Sequence, residues 1–277
     1  EGIRLHGGVL VRVKEHMDRL FENAKALDMD LNLSQRELVD MLYASCDANG
    51  MQDDVHIRLM VSRGLKPTPY QDPYTTLGMP LIVILPEHKK ASEAPKTKGI
   101  TLFTTHVQRG PPNVQDQMWN SHSKLNCISA CIQAKKAGAD EGLMLDPNGF
   151  VATCNSVNFF VVRKGVLWAP TRKYQLHGIT RQKTLDLAAE AGIPTQELDF
   201  SLTEVYSADE CFTTGTFAGQ IPVVEVDGRC IGNGQRGPIT QRLQELYREA
   251  VKKEAALGRR LDTFPTEKPM FRRPKTE

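Results

Sequence analysis

The sequence predicts an α+β fold in two domains, on three observations. Its length of 277 residues lies between the usual sizes of one and two domains, and 40% apolar residues can form a substantial core in each. Helical and strand-like periodicities alternate in the first part of the chain, whereas the second half is rich in hairpin signals. Antiparallel strands are therefore expected to dominate the second domain.

The first domain is assigned to residues 1–107. Apolar and polar side chains alternate around Gly7-Gly8, as in a hairpin, before a helical pattern begins at Glu15. Ser34 is the expected N-cap of the next helix, in which apolar residues recur at four-residue intervals. The expected elements are, in order, a hairpin over residues 3–13, helices from Glu15 and over Gln35–Ala48, and strands near residues 55–62 and 81–85.

A change of composition after Val107 marks the expected domain boundary. Residues 108–113, with the sequence Gln-Arg-Gly-Pro-Pro-Asn, support neither helical nor strand periodicity, so residues 108–120 are assigned to a linker. The large domain is assigned to residues 121–257, and a charged, proline-bearing, solvated tail to residues 258–277. The large domain's expected elements are hairpin turns at 146–149, 163–165 and 227–228, and helices over 128–137, 181–191 and 238–253.

Charge and cysteine content disfavour several function classes. The 35 Lys and Arg residues nearly balance the 33 Asp and Glu residues, which argues against nucleic acid or a membrane as a partner. The longest apolar run, residues 81–85, is too short to cross a bilayer. The six cysteines show no zinc-type spacing, so no metal site is expected. We interpret them as reduced, buried thiols of a cytoplasmic protein.

Lys124 and two glycine–threonine turns form the basis of the chemical prediction. Lys124 lies in the polar run Ser121-His122-Ser123-Lys124-Leu125-Asn126, and its amine can condense with a carbonyl. Gly178-Ile179-Thr180-Arg181 precedes a predicted helix, whose unsatisfied N–H groups favour a phosphate. Thr214-Gly215-Thr216 follows a strand-like run and offers hydroxyls to an anion. An amine together with an anion cradle suggests covalently held pyridoxal phosphate.

Each of these features alone also has an ordinary structural interpretation. A lone lysine in a polar run is usually solvated, and Thr180 could be only an N-cap, with Gly178 as a turn residue. Arg19 has a guanidinium suited to a phosphate, but it could be a surface residue beside Asp18 and Glu22. The second turn favours the phosphate interpretation, because two such turns could meet around one group.

Taken in order along the chain, the motifs resemble the class IV aminotransferases, which include branched-chain aminotransferases, D-amino-acid aminotransferases and aminodeoxychorismate lyase. The resemblance covers nearly the whole chain. The matching motifs are Glu1-Gly2-Ile3-Arg4, Glu15-His16-Met17-Asp18-Arg19-Leu20, Ser123-Lys124-Leu125-Asn126, Ala139-Asp140-Glu141, Asn158-Phe159-Phe160, Gly178-Ile179-Thr180-Arg181, Ala208-Asp209-Glu210 and Gly215-Thr216.

The resemblance implies a two-domain fold type IV subunit, with a smaller N-terminal domain that is incomplete at its start and a larger domain of mainly antiparallel strands with helices. It also implies pyridoxal phosphate between the domains and a homodimer that completes each site. Lys124 would form the internal aldimine, and Arg19 would contact the cofactor phosphate. The phosphate site would be completed by Ile179, Thr180, Gly215 and Thr216.

One departure from the family pattern concerns the pyridine ring. Where the family places a glutamate against the ring nitrogen, this chain has Val151-Ala152-Thr153-Cys154. A carboxylate keeps that nitrogen protonated and the ring electron-withdrawing, whereas threonine offers only a neutral hydrogen bond. We therefore expect Thr153 to contact the ring nitrogen, with Asn155 and Ser156 near enough to share this role.

A second departure concerns the substrate. D-amino-acid aminotransferases have an arginine and a histidine as a carboxylate trap after an Arg-Gly pair, and the stretch after Arg63-Gly64 contains neither. Specificity of that kind is therefore not supported. Arg63 or Lys66 could still meet a substrate carboxylate, although an arginine in such a place is more often a loop charge.

The expected function is transfer of an amino group between an amino acid, branched-chain-like by resemblance, and a 2-oxo acid. Lys124 would act as both tether and base. Two alternatives stay open. One is a lyase on the same cofactor, as in aminodeoxychorismate lyase, which Thr153 makes more plausible, and the other is a non-catalytic protein that has kept the fold.

Overall fold

The structure is a computed structural model in which residues 1–271 are described. The chain forms two compact units. One joins Glu1–Lys90 to the chain from Val251 onward, and the other comprises Ala91–Ala250. Each unit combines helices with a β-sheet, so the predicted α+β class is confirmed.

The first unit is an antiparallel sheet packed against helices. Its elements are β1 (Gly2–His6), β2 (Val9–Val11), α1 (Val13–Ala26), α2 (Gln35–Ala48), β3 (Val55–Ser62) and β4 (Leu81–His88). The strand order is β2-β1-β3-β4, and each neighbouring pair is antiparallel. The hairpin, the helices and the strands predicted for this part of the chain are all present.

The core of the first unit lies between its sheet and its helices. Ile3 and Leu5 of β1 are fully buried in one cluster with Leu38 and Leu42 of α2. A spacing of two on the strand and of four on the helix places each pair on one face of its element. The alternation seen in the sequence therefore corresponds to the face that each element buries.

The start of α2 is fixed by a capping box. Ser34 Oγ accepts a hydrogen bond from Glu37 N at 3.2 Å, and the Glu37 carboxylate accepts one from Ser34 N at 2.7 Å. Two of the unsatisfied N–H groups at the helix start are thereby paired. This confirms Ser34 as the N-cap and explains why the predicted and observed starts of α2 agree.

The second unit is built around a nine-stranded sheet. Its elements are α3 (Glu93–Lys98), β5 (Ile100–Thr104), α4 (Pro112–Gln115), α5 (Leu125–Lys136), β6 (Glu141–Leu145), β7 (Val151–Cys154), β8 (Asn158–Arg163), β9 (Val166–Pro170), α6 (Ile179–Glu190), β10 (Thr195–Leu198), α7 (Leu202–Tyr206), β11 (Glu210–Gly215), β12 (Gly219–Val226), β13 (Arg229–Cys230) and the larger part of α8 (Pro238–Ala256). The residues of α8 from Val251 onward belong to the first unit. The strand order is β10-β9-β8-β11-β12-β5-β6-β7, and β13 pairs with β12.

Most neighbouring strands of this sheet are antiparallel, as expected, but three pairs are parallel. The parallel pairs are β10 with β9, β12 with β5, and β5 with β6. Strand β7 also contacts β8, which lies several positions away in the strand order. The sheet therefore curls back towards itself.

The two faces of the curled sheet contribute to different clusters. Along β8, Phe159 and Val161 belong to one cluster and Phe160 and Val162 to the other, as the period of two along a strand requires. Phe160 stacks on Phe212 of β11, with 4.9 Å between ring centroids. The cluster around this pair also contains Leu185 and Ala188 of α6 and Leu243 of α8. Helix α6 is thereby held over β8 and β11.

The observed division of the chain, near Lys90, differs from the expected boundary at residues 108–120. Strand β5 lies between β12 and β6 in the large sheet and so belongs to the second unit. Residues 108–120 are not an extended linker either, since they include α4 and the buried side chains of Arg109 and Gln117. A short strand whose partners are distant in sequence leaves little local signal, which is why β5 was missed.

Part of the expected tail also belongs to the first unit. Phe264 is 7% exposed within that unit's core, and the Arg259 guanidinium donates to both carboxylate oxygens of Asp47 at 2.6 Å. The expectation of a solvated tail was therefore wrong for this stretch. Residues 272–277, where the predicted tail ends, lie outside the described residues.

The cysteines are free thiols, but they are not uniformly buried. Cys46, Cys127, Cys154 and Cys211 are buried, whereas Cys230 is exposed. Burial raises the pKa of Cys154 and of Cys211, which disfavours the reactive thiolate form of both. Over residues 1–271, no helix combines the length and the apolar character that crossing a membrane requires.

Candidate active site

The first glycine–threonine turn is the start of α6. Gly178 is the N-cap, and the first helical hydrogen bond runs from Gln182 N to Gly178 O at 2.9 Å. The N–H groups of Ile179, Thr180 and Arg181 precede this bond, so they face out of the positive end of the helix, where an anion is stabilised. Thr180 is therefore the second residue of the helix and not its N-cap.

The second turn lies directly beside the first. Thr214 of β11 is paired in register with Asn158 of β8, and a Cβ at Gly178 would lie 2.0 Å from Asn158 Oδ1. On the other side, Gln220 of β12 is paired with Thr214 and donates from Nε2 to Thr184 Oγ1 of α6 at 2.9 Å. The structure thus brings the two glycine–threonine turns together, although they are well separated in sequence.

Thr153 reaches the second turn through Val157. Its hydroxyl donates to Val157 O at 3.0 Å, and Thr153 is only 2% exposed. The Val157 side chain faces Gly215, where a Cβ would lie 3.1 Å from Val157 Cγ1. Thr153 and both turns are therefore linked at one end of the sheet, and half-buried Thr216 directly follows Gly215.

Asn155 and Ser156, which were expected to share the role of Thr153, bind strand β6. Asn155 Oδ1 accepts a hydrogen bond from Gly142 N at 2.6 Å, and Asn155 N donates to Gly142 O at 2.9 Å. Ser156 donates from N and Oγ to Glu141 Oε1 at 2.7 and 2.6 Å. Burial raises the pKa of this carboxyl despite those two hydrogen bonds. The Asn155 amide oxygen and the Ser156 hydroxyl hydrogen are thus used to hold the turn after β7.

Lys124 lies at the N-cap position of α5 and is half-buried. Its Nζ is 3.5 Å from Oδ1 of Asn120, which lies four residues earlier in the chain. The residue before it, Ser123, accepts a hydrogen bond at its carbonyl from Gln115 Nε2 at 3.0 Å. The Lys124 side chain is therefore half-buried and hydrogen-bonded, although His122 and Ser123 before it are exposed.

Arg109 is a residue of this region that sequence reasoning missed. It is 9% exposed, and its guanidinium donates from Nη1 to Gln117 Oε1 at 2.9 Å and from Nη2 to Cys154 O at 3.1 Å. It therefore joins the segment before Lys124 to β7, the strand that contains Thr153. A glycine- and proline-rich stretch has no periodicity that could have indicated a buried arginine.

The profile of the family described as Amino-transferase class IV matches residues 1–226. The chain belongs to this family. A putative branched-chain-amino-acid aminotransferase from Methanocaldococcus jannaschii is 40% identical over 262 residues, which cover 90% of this chain and 85% of that relative. The branched-chain-amino-acid aminotransferase-like protein 1 of Arabidopsis thaliana is 37% identical over 90% of this chain, and the match spans 45% of that longer protein.

The solved structures similar to this class IV aminotransferase share its fold. The branched-chain amino acid aminotransferase from Thermoproteus uzoniensis, solved with norvaline, matches with a TM-score of 0.84 at 32% identity, over 92% of this chain and 85% of that one. A second branched-chain amino acid aminotransferase, complexed with N-(5'-phosphopyridoxyl)-L-glutamate, also matches with a TM-score of 0.84 at 32% identity. This match covers 92% of the present chain and 84% of the solved one. The predicted fold type IV architecture is therefore confirmed.

In the first unit of this aminotransferase, Arg19 lies in a buried cluster with Glu1 and His16. Arg19 donates from Nε and Nη2 to Oε1 and Oε2 of Glu1 at 3.0 and 2.6 Å, and His16 Nδ1 is 2.6 Å from Glu1 Oε2. Burial alone would raise the pKa of Glu1, but the His16 hydrogen bond and the Arg19 charge outweigh it and hold that pKa well below its ordinary value. Arg19 is a fixed, mostly buried cation and not a surface charge, and its contact with a phosphate stays a prediction.

The two cations considered for a substrate carboxylate are bound to main-chain oxygens. Arg63 donates to Asp28 O at 2.7 Å and also to Leu27 O. Lys66 donates from Nζ to Tyr70 O at 2.7 Å and to Asp72 O at 2.8 Å. Both side chains thus stabilise loops of the first unit, which agrees with the ordinary interpretation given to Arg63.

Proposed function

We propose that this class IV aminotransferase is a cytoplasmic, pyridoxal-phosphate-dependent enzyme that moves an amino group between a branched-chain-like amino acid and a 2-oxo acid. The observation behind this proposal is the meeting of the α6 start, the β11 end and Thr153 at one end of the curled sheet. The bond from Arg109 to Cys154 O ties the segment before Lys124 to the same strand. A reactive amine and an anion-binding helix end therefore belong to one unit of the fold.

The residues at the two turns fit the phosphate of this cofactor. A Cβ at Gly178 would lie 2.0 Å from Asn158 Oδ1 and one at Gly215 would lie 3.1 Å from Val157 Cγ1, so both turns have no room for a side chain. A glycine backbone lets N–H groups approach an anion closely, and hydroxyls at Thr180 and Thr216 add further donors. The phosphopyridoxyl group in the solved complex of the second relative supports the same class of ligand for this chain.

Lys124 is proposed to be both the tether of the cofactor and the base of the reaction. Bound pyridoxal phosphate supplies an aldehyde that receives the amino group and a ring that withdraws electrons from the reacting carbon. The Lys124 amine holds the cofactor covalently and, when released, takes the proton from the α-carbon of the amino acid. Asn120 Oδ1, 3.5 Å from Nζ, is placed to accept a hydrogen bond from this amine and so to orient it.

A lyase reaction on the same cofactor is the second candidate, and Thr153 is the observation that favours it. Threonine is neutral, and its hydroxyl hydrogen is already donated to Val157 O. Product analysis separates the two reactions. A transaminase converts its cofactor to the pyridoxamine form and releases one 2-oxo acid per site, whereas a lyase keeps the aldehyde form and releases pyruvate or ammonia continuously.

The tether is tested by borohydride reduction of the purified, cofactor-loaded protein, followed by peptide mapping. We expect a pyridoxyl group on the peptide that contains Lys124, and we expect Lys124→Ala to lose both the adduct and the visible absorbance. Lys136→Ala, on the exposed side of the same helix, should keep both. Failure to find any adduct in the wild-type protein would refute the proposal, and an adduct on another lysine would refute the assignment of Lys124.

The donor and the assembly state need separate measurements. The visible spectrum should change on addition of leucine, isoleucine or valine, and comparison of L- with D-amino acids gives the handedness. We also propose a homodimer, supported by exposed apolar side chains at helical spacing on α5, where Leu125, Ile128 and Ile132 are 78%, 53% and 50% exposed. Sedimentation of the protein should give twice the mass of one chain, and a single-chain mass would contradict this.

A further inference from the structure

Thr214 has a buried hydroxyl whose hydrogen-bonding capacity is unused. The residue is 1% exposed, and within residues 1–271 no protein atom is a hydrogen-bond partner of Thr214 Oγ1. Buried hydroxyls are almost always paired, because an unpaired one loses its hydrogen bonds to water without replacement. An unpaired hydroxyl at the edge of a binding site therefore indicates a ligand atom as the missing partner.

The position of Thr214 in the sheet shows what this hydroxyl faces. Its two cross-strand partners are Asn158 and Gln220, and side chains opposite each other on neighbouring strands share one face of the sheet. Asn158 lies against Gly178 at the start of α6, and Gln220 donates to Thr184 in the second turn of that helix. Thr214 is thus on the face that the first turns of α6 cover, where the unpaired N–H groups of that helix are.

We propose that the Thr214 hydroxyl donates a hydrogen bond to a phosphoryl oxygen of the bound cofactor. It would be a further phosphate-binding group, in addition to the N–H groups at the start of α6 and the hydroxyls of Thr180 and Thr216. This inference rests on the proposed function, since it takes pyridoxal phosphate to be the ligand. A phosphate ester at neutral pH has three acceptor oxygens and close to two negative charges, so it has room for another donor.

The hydroxyl can be removed with little change of shape. Thr214→Val should weaken the binding of pyridoxal phosphate about tenfold, the size of effect expected for one hydrogen bond to a charged group. Thr214→Ser keeps the hydroxyl and should bind like the wild type. Thr213→Val is a matched control, because Thr213 is equally buried but is paired with Phe159 on the opposite face of the sheet. It should leave the affinity unchanged.

The affinity is measured by equilibrium titration of the full-length, cofactor-free protein with pyridoxal phosphate and, in parallel, with pyridoxal. Thr214→Val should lose affinity for the phosphorylated compound only, because pyridoxal has no phosphoryl oxygen to accept the bond. Its melting temperature without cofactor should be unchanged or higher, since the substitution removes an unpaired buried hydroxyl. If the valine variant does not fold, Thr214→Ala and Thr214→Ser are compared instead, because they differ only in the hydroxyl.

The possible outcomes distinguish a failure of the role of Thr214 from a failure of the proposed function. Equal affinity of the wild type and the hydroxyl-free variant for pyridoxal phosphate overturns the role of Thr214 while leaving the cofactor assignment intact. A melting temperature lowered without cofactor, combined with unchanged affinity, identifies the hydroxyl as a structural group and also overturns it. Absence of any binding by the wild type instead contradicts the proposed function.

Discussion

Thr153 is the single residue with the most direct chemical consequence. It occupies the position at which the resemblance places a carboxylate, and it is 2% exposed with its hydroxyl hydrogen donated to Val157 O at 3.0 Å. While that bond is kept, the oxygen can only accept a further hydrogen bond. Thr153 therefore cannot donate to an unprotonated ring nitrogen without rotating away from Val157, and it has no charge with which to hold a proton there.

Replacement of Thr153 by glutamate tests this limit. We expect Thr153→Glu to accelerate the half-reaction with an amino donor by about 10- to 100-fold, because a carboxylate would keep the ring nitrogen protonated, and a protonated ring withdraws the negative charge that develops on the α-carbon in the transition state. The rate of the absorbance change after mixing with leucine is the measurement. Thr153→Gln has the same length and no charge, so it should not accelerate the reaction. Equal rates for all three proteins would contradict a role for this position in tuning the ring.

Single residues also show what sequence patterns can indicate. Ser34 was predicted as an N-cap from a local signal, because a cap and its helix lie within four residues. The ion pair of Arg19 was not predicted from the sequence, because its partner Glu1 is 18 positions away and is brought close only by the packing of β1 against α1. Arg109 had no local signal at all, since its guanidinium bonds to Cys154 O across 45 positions.

At the level of elements, the start of α6 requires glycine because of its packing and not because of its backbone conformation. Gly178 has a φ of −65°, which any residue can adopt. What excludes a side chain is the position of Asn158, whose amide donates to Gln175 Oε1 at 2.8 Å and to Leu176 O at 2.9 Å. Asn158 is thus held in place by the loop before α6, and its Oδ1 fills the space beside Gly178.

Gly178→Ala should therefore shift the first turn of α6 away from β8. We expect a loss of about 1–3 kcal/mol in the free energy of unfolding, as for other overpacked sites, together with weaker cofactor binding. Denaturant unfolding and cofactor titration measure the two effects. Gly110→Ala is the matched control, because the nearest side-chain atom that a Cβ there would meet lies 3.9 Å away, on Val114. Wild-type stability and affinity for Gly178→Ala would show that this contact does not constrain the helix.

At the level of the whole molecule, stability towards acid depends on a carboxylate of the second unit. Glu197 binds Arg181, which is buried, at 2.8 Å and Arg172 at 3.1 Å. Burial alone would raise its pKa, but the hydrogen bonds from the two arginines outweigh this and lower the pKa of Glu197 from 4.5 to about 2. The carboxylate contributes stability above the unfolded value of 4.5, and this contribution is lost as the pH falls from 4.5 towards about 2.

Glu197→Gln should destabilise the protein at neutral pH by about 2 kcal/mol, because the buried Arg181 guanidinium loses its charged partner. This value is below the usual cost of removing one partner from a buried ion pair, since the Glu197 side chain is 34% exposed and an amide oxygen can still accept a hydrogen bond. The difference in melting temperature between variant and wild type should shrink as the pH is lowered through this window. Glu245→Gln, in an exposed pair 3.9 Å from Arg242, should change little at any pH. If the melting-temperature difference between Glu197→Gln and the wild type stays constant with pH, the lowered pKa of Glu197 does not contribute to stability.

The division into units was the least predictable feature of the molecule. Local composition indicated a boundary at residues 108–120, but β5 precedes that stretch and lies between β12 and β6, with which it forms parallel pairs. A parallel strand has no hairpin turn to mark it, so its sheet is decided by partners far along the chain. Phe264 packs in the core of the first unit but was assigned to a tail, because the residues that it contacts are also far along the chain.

The sequence by itself indicated the longer helices and the hairpins, the Ser34 cap, the family, and the reactive lysine with the two glycine–threonine turns as candidates. These features depend on residues only a few positions apart, where periodicity, capping and turn preferences act. Only the tertiary structure decided that Asn158 fills the space beside Gly178, that Arg109 links two distant segments, and that the Thr214 hydroxyl is buried without a protein partner among residues 1–271. Such contacts are set by strand register and by helix-on-sheet packing, which bring together polar groups that no local pattern relates.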